Sequence, residues 1–353
     1  MKTYFATLIL SALTTFLVTP FVRRLAFRFG AVDEPSERKV HRGIIPRLGG
    51  LGIYLGAMLP IFFIYFLDND ITQNLGEKTQ LLVALFTAAT IILGLGIYDD
   101  FKEAKPSLKL VFQMAVALLL FFSGFEIRSL NIPGGNEIEL PFPMRLVLTS
   151  LWIVGITNAI NLLDGIDGLV TGVTAFISLA LAIINLVALH DKFIAILTLA
   201  LAGACIGFLP YNFSPARIFL GDSGSLLIGV FLACIGVQSL FKTSTENSGL
   251  LIIPMILFGL PLFDTTSVMI TRASKGRSIF EADKNHVHHR LLRKGLSQKQ
   301  ASYLLYIVSA TLSFVAVLFT WRQTKEIIMG GVCVVIAVVL WLLWAWNMRK
   351  RAH

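Results

Sequence analysis

Long apolar stretches, separated by short polar segments, recur along the whole chain. Each is close to the ~20 residues that a helix needs to cross the hydrocarbon core of a membrane. None shows the two-residue alternation that is typical of strands in a membrane barrel. The pattern predicts an all-α, polytopic membrane helix bundle of about eleven transmembrane helices, over residues 4–22, 48–67, 80–97, 108–124, 146–163, 169–189, 193–210, 224–241, 250–271, 302–320 and 327–346.

Composition agrees with this class of protein. Of the 353 residues, 56% are hydrophobic and 14% are charged, and the mean hydropathy is +0.76. A soluble domain carries about 25% charged residues. The first stretch has no small-residue cleavage site and is followed by Arg23 and Arg24, which favours a membrane span over a signal peptide. All three cysteines lie inside apolar stretches, where they are expected to pack. We expect one integral-membrane domain over residues 1–353.

The basic residues predict the orientation of the bundle. If the loops are assigned alternately to the two sides, 22 of the 30 Lys and Arg residues fall on one side. Cytoplasmic loops of membrane proteins are enriched in these residues. The N-terminus is then outside and the C-terminus is cytoplasmic, in a bacterial inner membrane. The net charge of +9 follows largely from this topology, with membrane lipid as a partner. No aromatic-interleaved basic patch indicates binding to nucleic acid.

Polar residues concentrate in segments that follow alternate predicted spans. By this parity all of these segments lie on the cytoplasmic side, whereas the outer loops hold no comparable concentration of His, Gly-Asp or paired Asp. Such convergence predicts one site at the cytoplasmic mouth of the bundle. The segments are residues 33–50, 97–110, 158–169, 212–225 and 281–292.

Two groups of acidic and amide side chains are candidate ligands or bases. Asp99 and Asp100 end a predicted helix, where the helix dipole disfavours negative charge, so a nearby cation is expected unless they only mark the water boundary. Four further side chains are spaced to share one stripe of a helix and suit a cation or a ribose, or form a polar helix end. They are Asn158, Asn161, Asp164 and Asp167.

The remaining candidates have a structural alternative as well. Asp222 precedes an apolar stretch and is either a helix cap or a Mg²⁺ ligand beside a diphosphate. Three histidines, at 286, 288 and 289, favour phosphate or sugar contact over zinc or a solvated loop, because no fourth zinc ligand is near. Asp264 lies within an apolar stretch, and the simplest expectation is a pair with Arg272, two turns further on.

In this order, these residues resemble the signatures of the polyprenyl-phosphate N-acetylhexosamine-1-phosphate transferase family. The signatures are the Asp99-Asp100 pair, the segment Asn-Leu-Leu-Asp-Gly-Ile-Asp-Gly at 161–168, and Asn212 ten residues before Asp222. The fourth is the H-x-H-H pattern at 286–289, which is similar to the WecA and TagO branch, whereas the peptidoglycan translocase branch has three consecutive histidines. The resemblance covers nearly the whole chain.

The resemblance implies a role for each matching residue. Asp222 would hold Mg²⁺, for which Mn²⁺ substitutes, and Asn161 is a candidate second ligand. Asp99 would be the base that ionises the lipid phosphate, with Asp100 as its neighbour and Lys109 close to the phosphates. The implied substrate contacts are a uridine pocket of Asp164, Gly165, Asp167 and Phe219, support of the metal or diphosphate by Asn212, and contacts of His286, His288, His289 and Arg290 with the diphosphate or sugar.

The resemblance also implies a reaction, the transfer of N-acetylglucosamine-1-phosphate from UDP-N-acetylglucosamine to undecaprenyl phosphate, with release of UMP. Other UDP-N-acetylhexosamine donors, and both a direct attack and an aspartyl-phosphate route, remain open. An ion-coupled transporter would need polar residues near the membrane midplane and often has an internal repeat. A CDP-alcohol phosphatidyltransferase would need an Ala-Arg pair that this motif lacks. The sequence is compatible with a homodimer.

Overall fold

The computed structural model describes residues 2–34, 43–67, 70–131, 137–240, 252–274, 276 and 286–321. Nearly all of these residues are helical, and a π-helical turn at Ile184–Ala188 continues the seventh helix. The α-helices are α1 (Lys2–Phe29), α2 (Gly49–Tyr65), α3 (Asp70–Glu77), α4 (Thr79–Lys102), α5 (Pro106–Phe122), α6 (Phe142–Leu163), α7 (Leu169–Ile183), α8 (Lys192–Asn212), α9 (Gly221–Leu240), α10 (Ile252–Leu257), α11 (Gly259–Ala273), α12 (Val287–Arg293) and α13 (Gln298–Trp321).

Short antiparallel strand pairs occur in two of the connections. In the first, β1 (Val32–Asp33) pairs with β2 (Ile45–Pro46). In the second, β3 (Ser129–Asn131) pairs with β4 (Glu137–Glu139). The backbone hydrogen bonds of the bundle are otherwise made mostly within helices, as a hydrocarbon environment requires.

The predicted membrane architecture is confirmed. In the described part of the chain, seven helices are long and apolar enough to cross a membrane, namely α1, α4, α6, α7 with its π-helical turn, α8, α9 and α13. The helices α2 and α5 are shorter apolar helices of 17 residues each. The predicted stretch at 250–271 falls on α10 and α11. The last predicted stretch, 327–346, lies outside the described residues.

Two helices form the centre of the bundle. The helix α8 packs against α1, α2 and α7, while α9 packs against α4 and α6. The seam between α1 and α8 is close because Gly203 and Gly207 face it. A Cβ added to Gly203 would lie 2.3 Å from the carbonyl oxygen of Leu8, and one added to Gly207 would lie 2.1 Å from that of Ala12. Close approach of this kind drives helix association in lipid, where no hydrophobic force operates between helices.

Glycines also fix where α9 begins. The backbone N–H groups of Gly49 and Gly50 donate to the carbonyl oxygens of Phe219 and Leu220, at 3.1 and 3.0 Å. On the other side, Gly96 of α4 faces Ser223, and a Cβ added there would lie 2.4 Å from the Cα atom of Ser223. The first turn of α9 is therefore held between the start of α2 and the end of α4.

A substitution pair on α4 tests this contact. We expect Gly96→Ala to destabilise the protein by about 1–3 kcal/mol, as overpacking of a close contact does, and to lower the melting temperature in detergent. Gly94→Ala is the matched control, because no atom lies within 4 Å of a Cβ at Gly94. If the Gly96→Ala and Gly94→Ala proteins had the same melting temperature, this packing of α4 on α9 would be contradicted.

An ion pair lies near the far end of α4. The ammonium group of Lys78, just before α4, lies 2.9 Å from a carboxylate oxygen of Asp191, which also accepts the N–H of Ile194 and caps α8. About 21 residues of helix separate Lys78 from Asp99, so the two ends are roughly 32 Å apart. Lys78 and Asp191 thus form a Lys–Asp pair remote from the acidic cluster at the end of α4.

Candidate functional site

The site forms where α4 and α6 end and α5 and α9 begin. The Nζ atom of Lys109, in the first turn of α5, lies 2.6 Å from Oδ2 of Asp99 on α4 and 2.5 Å from Oδ2 of Asp222 on α9. The Asp99 side chain is 8% exposed and that of Asp222 is 29% exposed. One cation therefore joins two carboxylates that are more than 120 residues apart, and the more accessible carboxylate is that of Asp222.

Asp100 has a different environment from its neighbour. Its two carboxylate oxygens accept the backbone N–H groups of Asp222 and Ser223, at 2.9 and 3.2 Å. These are free donors at the start of α9, so Asp100 caps α9 from another helix. The N-terminus of α9 compensates its charge, where the sequence suggested a lysine or a metal ion. The side chain of Asp222 is consequently available for Lys109 and Asn161.

The predicted stripe from Asn158 to Asp167 is wrong in its second half. Helix α6 ends at Leu163, and the chain turns before α7 begins at Leu169. The backbone leaves helical angles at Asp164, whose ψ is +64°, and Gly168 takes a φ of +76° directly before α7, so the helical periodicity does not reach Asp167. Only Asn158 and Asn161 share one helix.

The two asparagines of α6 contact different partners. The Nδ2 atom of Asn161 donates to Oδ1 of Asp222 at 2.6 Å and to the hydroxyl of Ser225 at 2.8 Å. One turn earlier, Asn158 exchanges hydrogen bonds with the side-chain amide of Gln113 on α5, at 2.7 and 3.2 Å. Asn161 therefore belongs to the acidic centre, while Asn158 joins α5 to α6.

The side chains of the acidic centre are of the kind that bind a hard divalent cation. Asp99 and Asp222 supply carboxylate oxygens and Asn161 an amide, and an ammonium group already bridges the two carboxylates. Within the described ranges, no group of three His, Cys, Asp or Glu residues is arranged to hold a metal by itself. Mg²⁺ does not need such a group, because it is usually bound through one or two carboxylates together with substrate phosphates and water.

Asp164 and Arg47 lie beside this centre. Burial, with the nearby carboxylates of Asp100 and Asp167, raises the pKa of Asp164 to about 7, and the positive charge of Arg47 opposes this shift. The guanidinium group of Arg47 is paired with Asp33. No role for Arg47 was predicted from the sequence. Its signal in the sequence is its position two residues before Gly49, inside one of the five polar segments.

The raised pKa of Asp164 gives a prediction for stability. Its folded-state pKa of about 7 exceeds the ordinary 3.8, so its protonation stabilises the fold at low pH, and that stabilisation is lost as the pH rises through 7. We expect Asp164→Asn to raise the melting temperature more at pH 8 than at pH 5, because the cost of keeping this carboxyl folded grows from pH 3.8 to about pH 7. Equal effects at both pH values in a thermal-unfolding assay would contradict a raised pKa.

Two further predicted residues hold the loop before α9. The carboxylate of Asp167 accepts the N–H of Ala216 at 3.0 Å. The buried amide of Asn212 accepts from the hydroxyl of Thr171 at 2.8 Å and donates to the carbonyl of Ile218 at 3.1 Å. These contacts position the loop that ends in the half-buried Phe219. The structure thus gives Asn212 a role in the scaffold, and its contact with a metal or diphosphate stays a prediction.

The histidine segment packs against the turn between α6 and α7. His288 is buried, and a Cβ added to Gly165 would lie 1.9 Å from its Nε2 atom. Burial, together with the neighbouring His289, lowers the pKa of His288 to about 4, so this ring is neutral at pH 7. The His289 ring lies 4.4 Å from that of His288, and the half-buried Arg290 donates its N–H to the carbonyl of His286.

The expected Asp264–Arg272 pair is replaced by contacts to the histidine segment. The carboxylate of Asp264 accepts the N–H of Val287 and lies 2.9 Å from Nδ1 of His286. Two helical turns, about 11–12 Å of rise, separate Asp264 from Arg272 along α11, which exceeds the reach that a direct pair favours. No signal in the sequence indicated His286 as the partner, because the contact joins different helices.

Comparison with known proteins decides the family. The family model described as glycosyl transferase family 4 matches residues 81–240, which include every residue of the acidic centre. The chain is 38% identical over 312 residues to a protein of Bacillus subtilis named probable undecaprenyl-phosphate N-acetylglucosaminyl 1-phosphate transferase, covering 88% of this chain and 83% of that protein. This chain belongs to that family.

Two other relatives agree with this assignment. The decaprenyl-phosphate N-acetylglucosaminephosphotransferase of Mycobacterium tuberculosis is 34% identical over 346 residues, which are 92% of this chain and 85% of the relative. The undecaprenyl-phosphate alpha-N-acetylglucosaminyl 1-phosphate transferase of Escherichia coli is 29% identical over 317 residues, with 87% and 81% covered. The chain is therefore an enzyme, a glycosyl-1-phosphate transferase, and a multi-pass bacterial membrane protein. The transferase family predicted from the motifs is confirmed.

Proposed function

We propose that this transferase moves N-acetylglucosamine-1-phosphate from UDP-N-acetylglucosamine to undecaprenyl phosphate and releases UMP. The observation that carries the proposal is the centre in which Lys109 joins Asp99 and Asp222 at the start of α9. Two anionic phosphates must approach each other in this reaction, so positive charge at their meeting point is required. The relatives' names supply the sugar and the polyprenyl acceptor.

The proposed reaction makes and breaks one bond each at the β-phosphorus of the donor. An oxygen of the lipid phosphate attacks the β-phosphorus and forms the new bond. The bond between the β-phosphorus and the oxygen that links it to the α-phosphorus breaks, so UMP leaves with that oxygen. Asp99 is the proposed base for any proton on the attacking phosphate, and the ammonium of Lys109 balances charge on the phosphates. Asp100 acts by holding the start of α9, through its bonds to Asp222 and Ser223.

We propose Mg²⁺ as the cofactor, with Mn²⁺ able to substitute. Asp222, the more exposed carboxylate of the centre, would hold the ion, with the side-chain oxygen of Asn161 as a further ligand. When bound, the ion supplies positive charge that stabilises the phosphate oxygens. For the nucleotide, we propose the surface formed by Asp164, Gly165, Asp167 and Phe219, next to the histidine segment.

The proposed location of the site is the cytoplasmic face of the inner membrane. Two helices end and two begin at the centre, which requires the four helix termini to lie at one end of the bundle. The bias of basic residues supports the cytoplasm for this end, since 22 of 30 Lys and Arg residues belong to the loops of that side. A water-soluble nucleotide and a lipid headgroup can meet there.

The test is release of UMP by the purified protein in detergent. We expect UMP only when UDP-N-acetylglucosamine, undecaprenyl phosphate and Mg²⁺ are all present, together with a lipid-linked sugar product. Removing the ion with a chelator is expected to stop the reaction, and Mg²⁺ or Mn²⁺ to restore it. Activity with a different UDP-N-acetylhexosamine alone would reassign the donor. No lipid-dependent UMP from any of these donors would overturn the proposed function.

A further inference from the structure

Asp264 is a fully buried carboxylate of α11 that lies outside the acidic centre. Both of its oxygens are used by the histidine segment: Oδ1 accepts the N–H of Val287 at 2.6 Å, and Oδ2 lies 2.9 Å from Nδ1 of His286. A buried carboxylate is stable only when it is paired and hydrogen-bonded. These two contacts therefore tie the charge of Asp264 to the place where α12 begins.

The contact with Asp264 determines which nitrogen of His286 carries a proton. An ionised carboxylate only accepts hydrogen bonds, so Nδ1 of His286 must be the donor. The ring then presents its Nε2 atom on the opposite side. Which nitrogen of a histidine is protonated is generally set by the partner of the other nitrogen. In the described part of the chain, Nδ1 of His286 lies 2.9 Å from Oδ2 of Asp264, so Asp264 sets this tautomer.

The geometry also connects Asp264 to the nucleotide side of the site. The rings of His286 and His288 are parallel within 3°, with centroids 5.7 Å apart. His288 in turn packs on Gly165, where there is no space for a side chain. A change in the position of His286 would therefore act on His288, which lies against the turn that holds Asp164 and Asp167.

We propose that Asp264 is a positioning residue, which fixes His286 as the Nδ1–H tautomer and holds the histidine segment against the Asp164–Gly168 turn. It does so without touching substrate. The proposal rests on the proposed function, in which the histidine segment contacts the diphosphate or sugar. A merely structural carboxylate would stabilise the fold, and its effect would be independent of the tautomer of His286.

Asp264→Asn separates these two roles because the side chains have the same shape. The amide oxygen can still accept from Val287, which places the amide N–H₂ group opposite Nδ1 of His286. The ring must then accept at Nδ1 and carry its proton on Nε2. We expect turnover to fall by about 10–100-fold, the range seen when an outer partner that orients a functional histidine is lost. The melting temperature is expected to change little.

The matched control is Ser267→Ala on the same helix, because the hydroxyl of Ser267 bonds only to the backbone carbonyl of Asp264 in the described structure. It is expected to keep full turnover. In a His286→Ala background, adding Asp264→Asn is expected to change turnover by less than about twofold, since the two residues act as one unit. Effects that multiply instead would overturn the proposal.

A measurement that needs no substrate completes the test. In protein labelled with ¹⁵N-histidine, the imidazole shifts report the tautomer directly. We expect His286, assigned by its loss in His286→Ala, to be the Nδ1–H form in the wild type and the Nε2–H form in Asp264→Asn. An unchanged tautomer would overturn the proposal. If the tautomer differs between the two proteins as expected but the wild type transfers no sugar phosphate, the proposed function is contradicted and the role of Asp264 is not.

Discussion

Asp222→Asn is expected to lower sugar-1-phosphate transfer by about 10²–10³-fold, the scale of losing one group that stabilises transition-state charge, here the Mg²⁺ that Asp222 is proposed to hold. The amide keeps the size of the side chain but removes the negative charge that faces Lys109 and, in the proposed function, holds Mg²⁺. The fold is expected to survive, because the first turn of α9 is capped by Asp100 and not by the side chain of Asp222. The measurement is UMP release alongside the melting temperature.

The matched control for this variant lies near the far end of α4. Asp191→Asn also removes a carboxylate that is paired with a lysine, Lys78, but roughly 32 Å from the centre. It is expected to reduce stability through the lost ion pair, while the amide oxygen can still cap α8, with turnover of the folded protein unchanged. If both variants lost activity in proportion to their loss of folded protein, Asp222 would be a structural residue.

Lys109→Gln is expected to lower turnover by about 10²-fold, because two carboxylates and the substrate phosphates lose their shared cation. The Mg²⁺ concentration that gives half-maximal activity is not expected to rise. Without the ammonium group, Asp99 and Asp222 attract a divalent cation more strongly. A Mg²⁺ titration of UMP release distinguishes the lysine's role in turnover from a role in binding the metal.

The comparison for Lys109 is the lysine one turn earlier. Lys105→Gln removes the same charge from an exposed position at the start of α5, outside the contacts between Asp99 and Asp222. It is expected to retain most of the activity. Equal losses in the two variants would indicate that Lys109 acts only through the general positive potential of this surface. In this interpretation the ammonium group of Lys109 and Mg²⁺ compete for the carboxylates of Asp99 and Asp222. A Lys109→Gln protein that needs much more Mg²⁺ for half-maximal activity would contradict it.

The membrane spans and the convergence of the polar segments could be predicted because both depend on local sequence. Apolar stretches of nearly 20 residues leave few alternatives to a spanning helix. Polar segments after alternate spans share one face by counting alone, and the contacts of Asp99, Lys109, Asn161 and Asp222 bear out their convergence. These predictions required no knowledge of which helix packs on which.

The partners of single side chains could not be predicted, because they depend on contacts between distant segments. Asp99 and Asp100 are adjacent in sequence, yet one faces a lysine and the other caps α9. The partner of Asp264 is His286, which lies 22 residues further along the chain, directly before α12. The three-residue spacing up to Asp167 suggested a single helix, but the backbone of Asp164, with a ψ of +64°, ends α6 at Leu163. Tertiary contacts and one backbone angle decided these cases.

The close seam between α1 and α8 has a consequence for biosynthesis. Between Ala12 and Gly203 lie 190 residues of chain, so at 5–20 residues per second α1 is made roughly 10–40 s before its partner helix. During this time α8 has not been made, so the polar side chains of α1 cannot contact it. The hydroxyl groups of Thr7, Thr15 and Thr19 each bond to a carbonyl one turn earlier in α1 itself. We therefore expect α1 to be stable in the bilayer as a single helix, since these hydroxyls are hydrogen-bonded within it. We expect the α1–α8 contact to form only after α8 has been inserted.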